Sequence, residues 1–184
     1  MELYREIYHP TENYLYKVCQ EFEGTYYEDG KTIKNLDPKL NSKAKTQTAV
    51  FNYQNLSFKA ISSKVNNRTM IILNLNSEQN EYFKIMPNSA LTIFDKIKMK
   101  IKGNSITKNI FVFRGGNEFG NMLKGNKKFC ELYQGNEYVI ELDKEKRQIL
   151  KLIPFHGISN YQELLTCLEL LIVLDYLLKI KMKK

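Results

Sequence analysis

The C-terminal segment constrains the fold most, because it is apolar almost all the way round a helix. Its polar members between residues 161 and 180 are few, and at about 100° per residue they leave no continuous polar face; they include Glu163, Thr166, Glu169 and Asp175. A helix of this kind has to be surrounded by the rest of the protein. We therefore expect a buried helix over residues 159–181, capped at Ser159 or Asn160 with Gln162 or Glu163 three residues on.

Upstream, residues 1–158 show apolar and aromatic alternation broken by turn residues. The predicted strands are 14–19, 24–27, 32–36, 49–53, 56–62, 69–75, 82–86, 91–102, 106–113, 129–133, 138–142 and 148–153. Asp29-Gly30 predicts a tight hairpin turn, because both central residues of such a turn need positive φ. Strand spacings of about 8–12 residues are typical of an antiparallel sandwich or barrel. The prediction is one mainly β domain over 1–184, an antiparallel meander of about 10–12 strands in a sandwich or barrel, with the hydrophobic C-terminal helix surrounded by the sheet.

Charge is distributed unevenly along the chain. The net charge is +8, yet residues 1–30 carry two basic and seven acidic groups, whereas residues 31–128 carry 18 basic and five acidic groups. A basic field of this size attracts an anionic membrane, nucleic acid or an acidic protein. Charge alone does not choose among these partners.

The sequence predicts a cytoplasmic protein without a transmembrane segment. The longest uninterrupted apolar run of the C-terminal helix, 170–174, is far shorter than the ~20 residues of a membrane span, and the N-terminal MELYREIYHP lacks the apolar core of a signal peptide. Three cysteines at unpaired spacing indicate reduced thiols; they are Cys19, Cys130 and Cys167.

Three segments give this chain a resemblance to the tubby C-terminal-like superfamily, which includes the LURP-one-related proteins and the phospholipid scramblases. They are TYYEDGKTI at 25–33, RQILKLIP at 147–154 and NYQELLTCLELLIVLDYLL at 160–178. The resemblance implies a closed barrel around a hydrophobic C-terminal helix. It also implies phosphoinositide binding through basic residues, as in tubby proteins, or action at membranes, as in scramblases. The sequence contains no acidic calcium loop of the D-x-[DN]-x-[DN]-G kind.

Alternate lysines between residues 91 and 102 form the first candidate site. These are Lys96, Lys98, Lys100 and Lys102. On one face of a strand, alternate residues repeat at about 6.6–7 Å, which suits a series of phosphate groups. A solvated outer face, with lysines that protect a sheet edge from pairing, explains the same pattern. Both interpretations stay open.

A glycine-rich basic segment forms the second candidate site. Its cations are Arg114, Lys124, Lys127 and Lys128. Glycines let backbone N–H groups approach phosphate, so residues 114–128 are predicted to be a flexible anion-binding loop or an ordinary mobile hairpin tip. No Walker or GxGxxG spacing decides between them.

Catalytic chemistry has little support in the sequence. The two histidines, His9 and His156, lack a cysteine, serine or acidic partner at a recognisable spacing, and two histidines do not make a multi-histidine metal site. We expect a non-enzymatic binding module with no cofactor and no metal. The first hypothesis is docking on anionic phospholipid or phosphoinositide through a basic face, at the inner membrane surface. The alternatives are an immunity- or antitoxin-like protein that neutralises an acidic or enzymatic partner, and nucleic-acid binding.

Overall fold

Nine strands and four helices make up the part of the chain that the structure describes. The computed structural model describes residues 13–34, 44–63, 68–87, 111–134 and 136–182. The strands are β1 (Thr25–Glu28), β2 (Lys31–Thr32), β3 (Thr46–Tyr53), β4 (Leu56–Ser63), β5 (Arg68–Asn74), β6 (Lys84–Pro87), β7 (Phe111–Arg114), β8 (Tyr138–Leu142) and β9 (Ile149–Pro154). The helices are α1 (Tyr14–Glu21), α2 (Asn117–Gly125), α3 (Lys127–Tyr133) and α4 (Tyr161–Met182).

The nine strands form one antiparallel sheet in the order β2-β1-β3-β4-β5-β9-β8-β6-β7. Most neighbours in the sheet are neighbours in the chain, which is the predicted meander with a C-terminal helix packed on it. Within the described ranges β2 and β7 are the two ends of this sheet and do not pair with each other, so the sheet is open where the tubby-like resemblance implies a closed barrel. The predicted strand 91–102 lies outside the described residues, as does the 106–110 part of the predicted strand 106–113.

The first hairpin forms as predicted from its turn residues. Asp29 and Gly30 have φ values of 46° and 80°, the pair of positive angles that a two-residue hairpin turn requires. Tyr27 pairs with Thr32, and Glu28 pairs with Lys31. The return strand β2 ends earlier than the predicted 32–36, of which 35 and 36 lie outside the described residues.

The inner face of the sheet is the face that packs against α4, and it is continuous hydrocarbon from strand to strand. Side chains alternate across a strand, so register aligns the inward residues in rows. One such row is Phe51, Phe58, Leu73, Leu150 and Leu142. None of the five is more than 3% exposed. Full burial of a large apolar side chain contributes roughly 1.5–3 kcal/mol, so this face is the main source of stability.

Helix α4 begins and is buried as the sequence predicts. The Asn160 side chain accepts the Glu163 N–H at 2.9 Å, and the Glu163 carboxylate accepts the Ser159 N–H at 2.8 Å. Leu171 and Leu174 are fully buried. A narrow stripe stays partly exposed, with Tyr176 the most accessible at 62%.

Residues 14–19 are a helix, so the predicted first strand is wrong. The period-two spacing of Tyr14, Tyr16 and Val18 favours a strand, but the buried residues follow a helical period, with Leu15, Val18 and Cys19 on one face. The Asn13 side chain caps the helix by accepting the Tyr16 N–H at 3.1 Å. Tertiary packing of that face against α4 and β3 decides the conformation.

Residues 114–133 contain two further helices, so the predicted loop and the predicted strand 129–133 are both wrong. Phe119 and Leu123 are buried four residues apart in α2, and Phe129 and Tyr133 in α3. The Asn126 side chain accepts the Phe129 N–H at 2.8 Å and so caps α3. Both helices contact α4. The C-terminal helix is therefore enclosed by helices as well as by the sheet.

Candidate anion-binding surface

The outer face of the sheet, which points away from α4, carries a row of charged side chains. Register places the residues Lys59, Ile72, Lys151, Glu141, Lys84 and Arg114 side by side on β4, β5, β9, β8, β6 and β7. We call the four basic members, Lys59, Lys84, Arg114 and Lys151, the cationic row. Neighbouring strands lie about 4.8 Å apart, so the row crosses roughly 24 Å of the sheet.

Two members of the cationic row are held by carboxylates. The Lys84 Nζ lies 2.7 Å from Glu141 Oε2, and the Lys151 Nζ lies 2.5 Å from Asp143 Oδ2. These four side chains are between 19% and 29% exposed. Pairs at that depth are less screened by salt than fully exposed pairs. The ammonium groups are thus fixed in position on an otherwise solvent-facing surface.

Asp143 is fixed in turn by the tight connection between β8 and β9. Its Oδ1 accepts the N–H groups of Glu145 at 2.9 Å and Lys146 at 2.8 Å. The hydrogen bond from Lys151, together with these two backbone bonds, lowers the pKa of the Asp143 carboxyl from 3.8 to about 2. Asp143 therefore stays ionised throughout the neutral range and positions Lys151.

A cleft of about 450 Å³ lies beside the middle of the row. Its lining includes both ion pairs, Lys84–Glu141 and Lys151–Asp143, together with Tyr82, Lys144 and Glu145. The Lys144 Nζ lies 5.4 Å from the centre of the Tyr82 ring, within cation–π distance. Burial raises the pKa of Tyr82, and the Glu141 charge acts in the same direction. The tyrosine is neutral at physiological pH and presents an aromatic wall.

Apolar side chains share the outer face with the charges. Ile61 pairs with Met70, and Met86 pairs with Val112, in rows next to the cationic row. Ile61, Met70 and Met86 are half-buried, whereas Val112 is fully buried. Val112 therefore presents no surface, and the half-buried Ile61, Met70 and Met86 are the side chains that place hydrocarbon next to the cationic row on this amphipathic face.

The structure separates the site residues that the sequence proposes. Arg114 belongs to the cationic row, at the end of β7. Lys124 lies in the last turn of α2, and Lys127 and Lys128 begin α3, so these three lie on the helical side of the sheet. The comb of Lys96, Lys98, Lys100 and Lys102 lies outside the described residues.

Sequence reasoning missed three members of the row: Lys59, Lys84 and Lys151. Each is the outward residue between two inward apolar ones, for example Lys59 between Phe58 and Ala60. That alternation was a usable signal for an outward lysine in a single strand. Their alignment depends on β9 pairing with β5 and β8 with β6, which are long-range pairings that no local pattern specifies.

The residues with catalytic potential do not assemble into a reactive site in the described part of the chain. His156 Nε2 lies 2.9 Å from Glu137 Oε2, an acidic partner whose distance along the chain gave no recognisable signal, and the histidine side chain is 84% exposed. Burial raises the pKa of Cys19 to about 11 and that of Cys167 to about 12, so both thiols stay protonated at neutral pH. All three cysteines are free.

The described residues offer neither a metal site nor a membrane-spanning helix. They contain no cluster of three or more histidine, cysteine or acidic residues arranged to hold a metal ion. Among them, no helix has the length and hydropathy needed to cross a membrane.

Comparison with known proteins identifies a fold and no family. No family model matches the sequence, and no curated protein does. The crystal structure of the mycobacterial trehalose monomycolate transport factor A, TtfA, superposes with a TM-score of 0.54 over 93% of each chain, at 8% sequence identity. At that identity the likeness shows a shared fold alone. The tubby-like resemblance stays a prediction.

Proposed function

We propose that this protein is a non-enzymatic binding module that docks on anionic phospholipid through the outer face of its sheet. The observation that carries the proposal is the cationic row lying beside apolar side chains on one surface. Lysines close to an anionic membrane contribute about 1 kcal/mol each, and adjacent hydrocarbon can enter the boundary between headgroups and acyl chains.

The structural neighbour motivates testing a lipid first. TtfA is described as a transport factor for trehalose monomycolate. The shared fold does not carry that activity to this chain. It does make a membrane or lipid role a reasonable starting point for a sheet whose outer face is amphipathic. Under this proposal the protein is peripheral to the inner membrane face.

The test is co-sedimentation with vesicles of neutral phosphatidylcholine or with added phosphatidylglycerol or phosphoinositide, at low and near-physiological salt. We expect binding to the anionic vesicles that weakens as salt rises. Lys59→Glu should lower the affinity at least about fivefold, since one well-placed lysine contributes about 1 kcal/mol. Equal, negligible sedimentation with neutral and anionic vesicles would overturn the proposal.

Lys127→Glu is the matched control, because it makes the same charge change on the helical side, at a side chain that is 90% exposed. We expect it to weaken vesicle binding much less than Lys59→Glu does. An equal loss in both variants would show that net charge, not the outer face, drives docking. If the protein binds none of the vesicles, the hypothesis of a protein partner remains. A pull-down with wild type and with Lys59→Glu then tests that hypothesis.

A further inference from the structure

We propose that the cleft beside the cationic row binds a zwitterionic phosphoethanolamine headgroup. We call this site the headgroup cleft; its lining includes Tyr82, Lys84, Glu141, Asp143, Lys144 and Lys151. The inference rests on the proposed function, since it names the headgroup that the outer face selects once it meets a membrane.

The charges that line the cleft balance. Its lining holds the cations Lys84, Lys144 and Lys151 and the anions Glu141, Asp143 and Glu145. A polyphosphate headgroup would bring several negative charges against three carboxylates, and like charges at close range are unfavourable. A headgroup that carries one phosphate and one ammonium matches a balanced lining.

The charges across the cleft also follow a definite order. Lys151, Glu141 and Lys84 lie in register on β9, β8 and β6, so the signs alternate from strand to strand. The step between strands is about 4.8 Å. A two-carbon linker separates the phosphate and ammonium of phosphoethanolamine by a comparable length. The phosphate can therefore lie at a lysine while the ammonium lies at Glu141.

The polar groups of the cleft keep bonding capacity for a ligand. A lysine ammonium has three donors and a carboxylate has two acceptor oxygens. The Lys84 Nζ donates to one oxygen, Oε2, of Glu141, and the Lys151 Nζ donates to Oδ2 of Asp143. A phosphate oxygen can accept a further hydrogen bond from either lysine ammonium, and the ligand ammonium can donate to the Glu141 carboxylate. Neither built-in ion pair has to break.

Tyr82 supplies the apolar wall of the cleft. Its ring already has one cation, Lys144, at 5.4 Å from the centroid. A ligand ammonium is attracted to an aromatic face for the same electrostatic reason. The cleft volume of about 450 Å³ lies in the range of small-molecule sites, about 300–1,000 Å³.

The test uses vesicles with a constant phosphatidylglycerol content, completed with either phosphatidylethanolamine or phosphatidylcholine. We expect wild type to bind the phosphatidylethanolamine vesicles several-fold more tightly. Glu141→Gln should keep or tighten binding to both vesicle types, because it removes a negative charge, and should abolish the preference. Lys59→Glu, outside the cleft, should weaken binding to both and keep the ratio.

Free phosphoethanolamine and inorganic phosphate distinguish the headgroup from simple phosphate binding, with amide chemical shifts of Lys84, Glu141 and Lys151 as the readout. We expect larger shifts with phosphoethanolamine. Equal vesicle affinities for wild type, or a preference that survives in Glu141→Gln, would overturn the headgroup cleft. Shifts with phosphoethanolamine in a protein that binds no vesicle would instead overturn the proposed function and leave the cleft standing.

Discussion

The inner and outer faces of the sheet are built by the same strands, yet their side chains are under different constraints. On the inner face, Phe58 and Leu150 belong to a row that is buried under α4. On the outer face one residue away, Lys59 and Lys151 belong to the cationic row. Alternation lets one strand serve both purposes. Stability should therefore respond to changes on the inner face, and binding to changes on the outer face.

The largest expected losses of stability come from changes to the side chains that pack on the inner face of the sheet. Leu171→Ala and Leu174→Ala should each lower the free energy of unfolding by about 2–5 kcal/mol, because each leaves a cavity at a fully buried position. Tyr176→Ala is the control on the same helix, at a side chain that is 62% exposed, and should stay within about 0.5 kcal/mol. Urea unfolding measures all three.

Stronger changes to α4 should abolish folding. Leu174→Asp would place an uncompensated charge in the core, and deletion of residues 161–184 would expose the whole inner face of the sheet. We expect insoluble protein from both. A well-dispersed amide NMR spectrum from residues 1–160 would show that the sheet folds without α4. It would contradict the claim that stability depends on the inner face.

Two glycines of α2 give a smaller effect with opposite signs. A Cβ on Gly120 would lie 2.8 Å from the Phe113 ring, which packs against Phe83 and Phe119, so Gly120→Ala should cost about 1–3 kcal/mol. A Cβ on Gly125 would meet nothing within 4 Å. Gly125→Ala should therefore stabilise the protein by up to about 0.5–1 kcal/mol. Thermal melts of both variants measure this difference. A lower melting temperature for Gly120→Ala and an equal or higher one for Gly125→Ala would show that α2 packs tightly at Gly120.

The smallest expected effect is on the outer face and depends on pH. The pKa of Asp143 is depressed in the folded state from 3.8 to about 2, so its ionised form stabilises the fold above pH 4 and this contribution disappears as the pH falls towards 2. Asp143→Asn keeps an acceptor for the turn but loses the charge. The melting temperatures of the variant and wild type should differ modestly near neutral pH and converge in acid. A constant difference would contradict the lowered pKa.

The sequence predicted the elements whose signals are local and strong. Helix α4 has its cap at Asn160 and its all-round apolar surface within one segment. The Asp29-Gly30 turn and the strand 138–142 are equally local. These elements follow from residues that lie next to each other in the chain, so the fold class could be predicted without the structure.

The short helices and the cationic row could not be predicted in the same way. Helices α1 and α3 span eight and seven residues, lengths at which isolated helices are marginal and tertiary packing decides. Aromatic residues such as Tyr14, Tyr16 and Phe129 favour strands by propensity. Predicting the cationic row requires the order of the strands as well as the alternation within each strand. That order includes the pairing of β5 with β9, which are far apart in the sequence.

A single introduced tryptophan tests the central claim, that the outer face docks while the inner face holds the fold. The chain contains no tryptophan, so Val50→Trp reports from the outer face, where Val50 lies opposite Lys59. Tyr176→Trp reports from the helical side. Both positions are exposed, at 37% and 62%.

The measurement is the tryptophan emission of each variant on titration with anionic vesicles that contain brominated lipid. We predict a blue shift and quenching for Val50→Trp, and an unchanged spectrum for Tyr176→Trp at the same degree of vesicle binding. Quenching at Tyr176→Trp alone, or equal quenching in both variants, would contradict the account, because the membrane would then contact the helical side of the sheet.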